Sequence, residues 1–282
     1  IKMIQGFSTR QLTDIPIRAF VKSAYGIMHE KQKEVDKYEI TKWESLKHHL
    51  EYPCAVFGIL RGTGEIIRKC KESKHTFYHF DHAYYFKEQK HGINKIFNDK
   101  IYRITKNNMM LTYIDKLKAA DRERLGKFKK HIKLKPFKYD GSYILVLPPS
   151  DHVRRWYGLF DWEKNVVETL KKHTKREIRI RTKDSKTPYI EELQKAHAVV
   201  TCQSTACVDA IIEGIPSFCD KMSMGVPVSS TDLSEIETPI YPADREQWID
   251  SLLSNQYTLE EITNGYAWKR LKNKEFEYDN YS

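Results

Sequence analysis

The chain has 282 residues, and its 48 Lys and Arg against 38 Asp and Glu give a formal net charge of +10. That length suits one large domain or two of ordinary size, and two is the expectation adopted here. No run of about 18 apolar residues occurs and the start of the chain lacks a signal-peptide core, so neither a membrane span nor export is expected. The five cysteines (Cys54, Cys70, Cys202, Cys207 and Cys219) show no CxxC spacing, which argues against a disulfide framework and fits a reducing, cytoplasmic setting.

The first expected element is an amphipathic helix over "ITKWESLKHHLEY", where Ile40, Trp43, Leu46 and Leu50 fall on one face. From Pro53, "CAVFGIL" reads as a buried strand, "EIIRKCKES" as a helix and "TFYHFD" as a second strand. The intervening loop, Arg61, Gly62 and Thr63, lacks the Gly-Lys-Ser/Thr ending of a P-loop and would instead let an acceptor approach the backbone. His79, Asp81 and His82 stand at the end of the second strand, with Tyr84 and Tyr85 just beyond. A carboxylate among histidines and tyrosines can be tuned as a general base, so Asp81 is the first choice for that role and His82 the second. His75 could extend this cluster into a metal site, but no second His-carboxylate cluster completes it and no metal is expected.

Between Lys116 and Lys138 ten Lys or Arg face two acids, a local charge of +8. The stretch, with Lys127, Lys129 and Lys130 at its centre and Phe128, Phe137 and Tyr139 interleaved, either tracks a polyanion or forms a solvated surface.

Beyond it, strands and helices alternate regularly. "SYILVLPPS" is a strand; Trp162, Val166, Val167 and Leu170 mark a helix; "EIRIRTK" is a strand and "PYIEELQKAH" a helix; "AVVTC", a helix over about 205 to 213 and "PSFC" complete the series. Such alternation implies a parallel sheet covered on both faces, with ligands beyond the carboxyl ends of its strands. Ser150, His152, Arg154 and Trp156 follow the first of these strands, where they serve an acceptor or merely a linking turn. Arg179, Arg181 and Lys183 alternate along "IRIRTK", so Arg181 and Lys183 can converge on one diphosphate, or the strand is a charged edge. Gln203, Ser204 and Thr205 sit between a strand and a helix start, which suits an anion, although Ser204 can equally act only as the helix cap. Thr258 and Glu261 have capping-box spacing and open a terminal helix over "LEEITNGYAWKRL".

The series Ser204, Asp209, Gly214, Ile215, Pro216 resembles the nucleotide-sugar-binding domain of glycosyltransferases with the GT-B fold. The segment from Asp232 to Trp268 is similar to the tails of phage and surface-polysaccharide glycosyltransferases. The resemblance implies two Rossmann-like domains facing a cleft: 1–140 for the acceptor, 141–270 for the nucleotide sugar, and a C-terminal helix and tail, 258–282, crossing back. It implies that Asp209 binds the ribose hydroxyls, with Glu213 as the alternative, and that the donor is a uridine-linked sugar with no tightly bound cofactor. Joined to the basic stretch, it makes a 5-hydroxymethylpyrimidine in duplex DNA the leading acceptor, its flipped base received by Tyr84, Tyr85 or Trp156. A glycan acceptor, a sugar-nucleotide epimerase and a non-enzymatic nucleic-acid-binding protein are the alternatives.

Overall fold

The computed structural model describes residues 3–30, 50–87 and 93–274. The predicted amphipathic helix, apart from Leu50 and the residues after it, lies outside them. The chain divides into two compact units, one formed by Ile1–Met109 with Asn255–Asn280 and one built on Met110–Ser254.

In chain order the first unit contributes β1 (Gln5–Phe7), α1 (Asp14–Ser23), β2 (Ile27–His29), β3 (Cys54–Phe57), α2 (Thr63–Glu72), β4 (Phe77–His82) and β5 (Ile101–Lys106). The second contributes α3 (Ala119–Lys129), β6 (Tyr143–Leu147), α4 (Asp151–Tyr157), α5 (Trp162–His173), β7 (Glu177–Ile180), α6 (Tyr189–Leu193), β8 (Ala196–Thr201), α7 (Ala206–Ile212), β9 (Ser217–Cys219) and α8 (Arg245–Ser254). The chain then returns to the first unit as β10 (Gln256–Thr258), α9 (Leu259–Thr263) and α10 (Tyr266–Lys272).

Among the described residues the first unit holds a six-stranded sheet in the order β10-β5-β4-β3-β1-β2. β1 to β4 run parallel, β5 pairs antiparallel with β4 and β10 antiparallel with β5, with Gln256 opposite Arg103 and Arg103 opposite Asp81. One face carries Tyr78 and Phe80, whose rings meet Phe20 of α1 edge-on at 5.3 and 5.1 Å, while Trp268 of α10 meets Phe20 at 5.7 Å. Each such buried ring contributes on the order of 2 kcal/mol, so the returning segment is held by apolar burial as well as by strand pairing. The capping box forms: Glu261 N–H donates to Thr258 Oγ1 at 3.2 Å and Thr258 N–H to Glu261 Oε2 at 3.0 Å. The single terminal helix expected there is instead two, because Gly265, with φ 83°, turns the chain between α9 and α10.

The second unit's sheet is wholly parallel, in the order β7-β6-β8-β9, and comprises the four strands expected from the sequence. Ile144, Val146, Val200 and Phe218 pack against Trp162, Val166 and Leu170 of α5 on one face. Tyr143, Leu145 and Val199 pack with Leu193, Ala210 and Ile215 on the other. Alternate strand residues thus feed two cores, which is why these strands read as continuous apolar runs. The division between units falls after Met109 and not after residue 140. Its cause is α3, which packs on α8: Lys129 pairs with Glu246 and Asp250, and Arg124 reaches the Leu253 carbonyl.

Candidate functional site

In the second unit the carboxyl ends of the parallel strands lead into Pro148–Ser150, Arg181, Cys202–Thr205 and Asp220, the edge at which such sheets bind ligands. The turn after β8 is closed by its own side chains: Ser204 N–H donates to Thr201 Oγ1 at 3.3 Å, and Ala206 N–H to Ser204 Oγ at 3.2 Å. Ser204 therefore satisfies one of the free donors at the start of α7, while its side chain stays exposed. Thr205 and Asp209 are half-buried beside it. Tyr189 of α6 donates its hydroxyl to the Ala206 carbonyl at 2.9 Å, and burial, with Asp209 adding to it, pushes that phenol well up. Gln203 is 7% exposed, and among the described residues its Oε1 has no hydrogen-bond partner.

Arg181 and Lys183 do not share a strand face, because β7 ends at Ile180. The Arg181 guanidinium turns back to Glu192 and the Thr187 carbonyl and lies over the Tyr189 ring, so it ties the end of β7 to α6. Lys183 stands exposed in the following turn. Arg179 is bound by Glu177 of its own strand and stacks on Tyr143 at 3.7 Å, the behaviour of a charged edge strand. Glu213 lies at the far end of α7 from the turn, about 10 Å away by helical rise, where it pairs with Lys135. Of the two ribose candidates, Asp209 alone is near the carboxyl edge. Ser150 and His152 meet at 3.2 Å at the start of α4, and the ring of Trp156, half-buried, contacts Tyr157.

In the first unit the carboxyl edge gathers the ends of β1, β2, β3 and β4. The β1–α1 loop closes on buried Asp14, whose carboxylate accepts from Ser8 Oγ at 2.6 Å and from the backbone N–H groups of Thr9 and Arg10 at 2.8 Å each. In the neighbouring β3–α2 loop, Arg61 adopts φ 57° and Gly62 φ 90°. Thr63 does not face an acceptor: it is fully buried, with its hydroxyl among the carbonyls of Phe57, Gly58 and Leu60, and it holds the loop's shape.

Asp81 is less available as a base than its position suggested. Its Oδ2 accepts from Arg103 Nη2 at 2.6 Å and its Oδ1 from the His82 N–H at 2.8 Å. Burial alone would raise this carboxyl, but Arg103 foremost, with His79 and His82, outweighs it and holds the group below the ordinary aspartate value. A carboxylate so stabilised is a weak proton acceptor. His82 is exposed at the strand end and is the better-placed of the two. His79 is buried within the sheet, and desolvation drives its pKa to about 4. Tyr84 cannot receive a flipped base, since it is fully buried with Arg103 over its ring at 5.2 Å; Tyr85 is half-buried and stacks edge-on with Phe86. His75 bonds the Tyr52 carbonyl at 2.7 Å, and among the described residues no group of three His, Cys, Asp or Glu side chains is placed to hold a metal.

Two solved structures from Thermosulfurimonas dismutans share this architecture. One is KpsC, beta Kdo 2,7 transferase, at TM-score 0.55 and 13% identity, covering 96% of this chain and 99% of the other. The second, KpsC, beta Kdo 2,4 transferase, aligns at TM-score 0.51 and 11% identity over 95% and 98%. No protein-family model and no curated protein matches the chain. The likeness at these identities is one of fold. The chain is an α/β protein of GT-B-like architecture with two parallel-rich sheets.

The basic stretch divides in two. Arg124 is buried over the Phe128 ring, Lys129 is held by α8, Lys135 by Glu213, and Lys138 by Gln194. Lys135 and Lys138 also run alongside the end of α7, their N–H groups donating to the carbonyls of Ile212 and Gly214, at the opposite end of the sheet from the 203–205 turn. Lys116, Lys118, Arg122, Lys127, Lys130 and Lys133 remain exposed. Among the described residues no helix is long and apolar enough to cross a membrane.

Proposed function

We propose that the chain is a glycosyltransferase, with the second unit binding a nucleotide-sugar donor at the carboxyl edge of its sheet and transfer directed to a hydroxyl acceptor. What carries the reading is the likeness, over nearly the whole chain, to two Kdo transferases, taken with the small polar turn 203–205 and Asp209 at that edge. Arg181, Ser204 and Thr205 are the proposed diphosphate contacts and Asp209 the ribose contact. His82, Arg61 and Gly62 are proposed for the acceptor side, His82 as the base. The neighbours' activity favours a saccharide acceptor and makes nucleotide-activated Kdo a donor to try beside uridine-linked sugars. The test is incubation with uridine-, cytidine- and guanosine-linked sugars and saccharide acceptors, followed by mass spectrometry. Transfer of one sugar supports the reading; isomerised donor without transfer indicates an epimerase, and no nucleotide binding at all removes the proposal.

A DNA acceptor is the second reading, favoured by the six exposed cations between Lys116 and Lys133. Under it, replacing Lys127, Lys130 and Lys133 with Gln flattens the dependence of log affinity on log salt by roughly 3, since each lost phosphate contact removes a slope of about 0.9. Lys129 is not part of this test because it holds α8. Unchanged duplex affinity and slope in the triple variant would leave these residues as solvated surface and the saccharide acceptor unopposed.

A further inference from the structure

We propose that Asp220, together with Gln203, forms a subsite that accepts hydrogen bonds from the hydroxyls of the donor's transferred sugar. The inference rests on the nucleotide-sugar reading of the second unit and adds to it the sugar-recognising groups.

Asp220 follows β9 at the carboxyl edge, and its N–H donates to the Cys202 carbonyl at 3.0 Å, which fixes it beside the end of β8 and next to Gln203. Its Oδ2 accepts from the indole Nε1–H of Trp162 at 2.7 Å. Trp162 is 7% exposed, so the carboxyl is oriented by a rigid, neutral, buried donor. Among the described residues no Lys, Arg or His pairs with it. A carboxylate offers about four lone-pair sites, so acceptor capacity remains after this bond. Gln203 adds an amide oxygen that is buried and, among the described residues, without a hydrogen-bond partner.

The chemistry follows from what surrounds these groups. A site for phosphate supplies donors and positive charge; this one supplies acceptors and no cation. It suits hydroxyl groups and repels a diphosphate, which is left to the side of the turn where Arg181, Ser204 and Thr205 lie. Satisfying the Trp162 indole does not itself require a charged group, since any buried acceptor would do so. Burial also raises the Asp220 carboxyl, as expected of a carboxyl placed without a counter-ion.

Asp220→Asn keeps an acceptor for the indole and so keeps the fold, while Gln203→Met alters the second acceptor without touching Trp162. The measurement is calorimetric titration of UDP, CDP, GDP and CMP, and of the corresponding sugar nucleotides, against wild type and both variants. The expected result is free-nucleotide affinity within about threefold of wild type, with sugar-nucleotide affinity lowered about tenfold or more in Asp220→Asn, as loss of a hydrogen bond to a charged group implies, and about fivefold in Gln203→Met, whose amide oxygen is neutral. Deoxy analogues of the bound sugar nucleotide should weaken wild type and leave Asp220→Asn nearly indifferent at the hydroxyl it contacts. Equal loss for nucleotide and sugar nucleotide, or no loss for either, overturns the proposal while the glycosyltransferase reading stands. A wild-type chain that binds no nucleotide overturns both.

Discussion

Replacing Gly214 with alanine should destabilise the second unit by about 3 kcal/mol, the sum of roughly 1–2 for a left-handed residue and roughly 1–3 for overpacking. Gly214 has φ 81°, and a Cβ placed on it would stand 2.0 Å from the carbonyl oxygen of Pro136. That neighbour is backbone and cannot swing aside, because Lys135 and Lys138 are hydrogen-bonded to Ile212 and Gly214 on either side of it. Gly158→Ala is the control: its φ is 68°, but nothing lies within 4 Å of the new methyl, so only the conformational cost of about 1–2 kcal/mol applies. Urea or thermal unfolding should separate the two, with a fall in Tm on the order of 10 °C for Gly214→Ala. Equal, small losses in both variants would mean that the 135–138 segment yields, and the crossing would then not be a constraint.

This glycine also shows what the sequence could and could not disclose. The pattern Gly214-Ile215-Pro216 supported a resemblance to nucleotide-sugar domains, yet the structure shows a glycine required by the close passage of Pro136, a packing demand that no motif states. The second sheet was legible because β6 and β8 are apolar runs feeding cores on both faces. The first unit was half legible. β1, β2 and β10 are three residues each, too short for periodicity, and β10 joins β5 by pairing Gln256, Tyr257 and Thr258 with Arg103, Tyr102 and Ile101 across some 150 positions of chain. Charge pairing was equally hidden: Arg181 alternates correctly with Lys183 in sequence, but its partner is Glu192 on the next helix. Asp220 carries no signal in the sequence, because a single aspartate after "SFC" forms no pattern and its partner Trp162 lies 58 residues earlier.

The pair between Arg103 and Asp81 sets the second large expectation. The Arg103 side chain is 5% exposed and that of Asp81 28%, so Arg103→Ala strands a half-buried carboxylate next to the buried core of its strand, Phe77 to Phe80. Breaking a buried pair costs roughly 3–5 kcal/mol, and the partial exposure of Asp81 places the expectation near the lower figure, about 3. The pH dependence distinguishes this from a simple packing loss. Because the Asp81 carboxyl is held below its ordinary value in the folded protein, its contribution is complete above the unfolded aspartate value of about 4 and disappears as pH falls through the folded one. His79 acts in a different window. Its ring sits at about 4 when folded against about 6.5 when unfolded, so stability is full above the latter and declines as pH falls between the two. Denaturant titrations at pH 7, 5 and 3 should therefore show wild type weakening in two stages. Arg103→Ala should start about 3 kcal/mol lower at pH 7 and lack the lower acid stage, because an unpaired, half-buried Asp81 is no longer destabilised by protonation. His79→Leu should remove the stage between pH 6.5 and 4 and leave the lower one in place. If Arg103→Ala keeps the wild-type acid profile, the ion pair is not what stabilises Asp81, and a general-base role for that residue regains its standing.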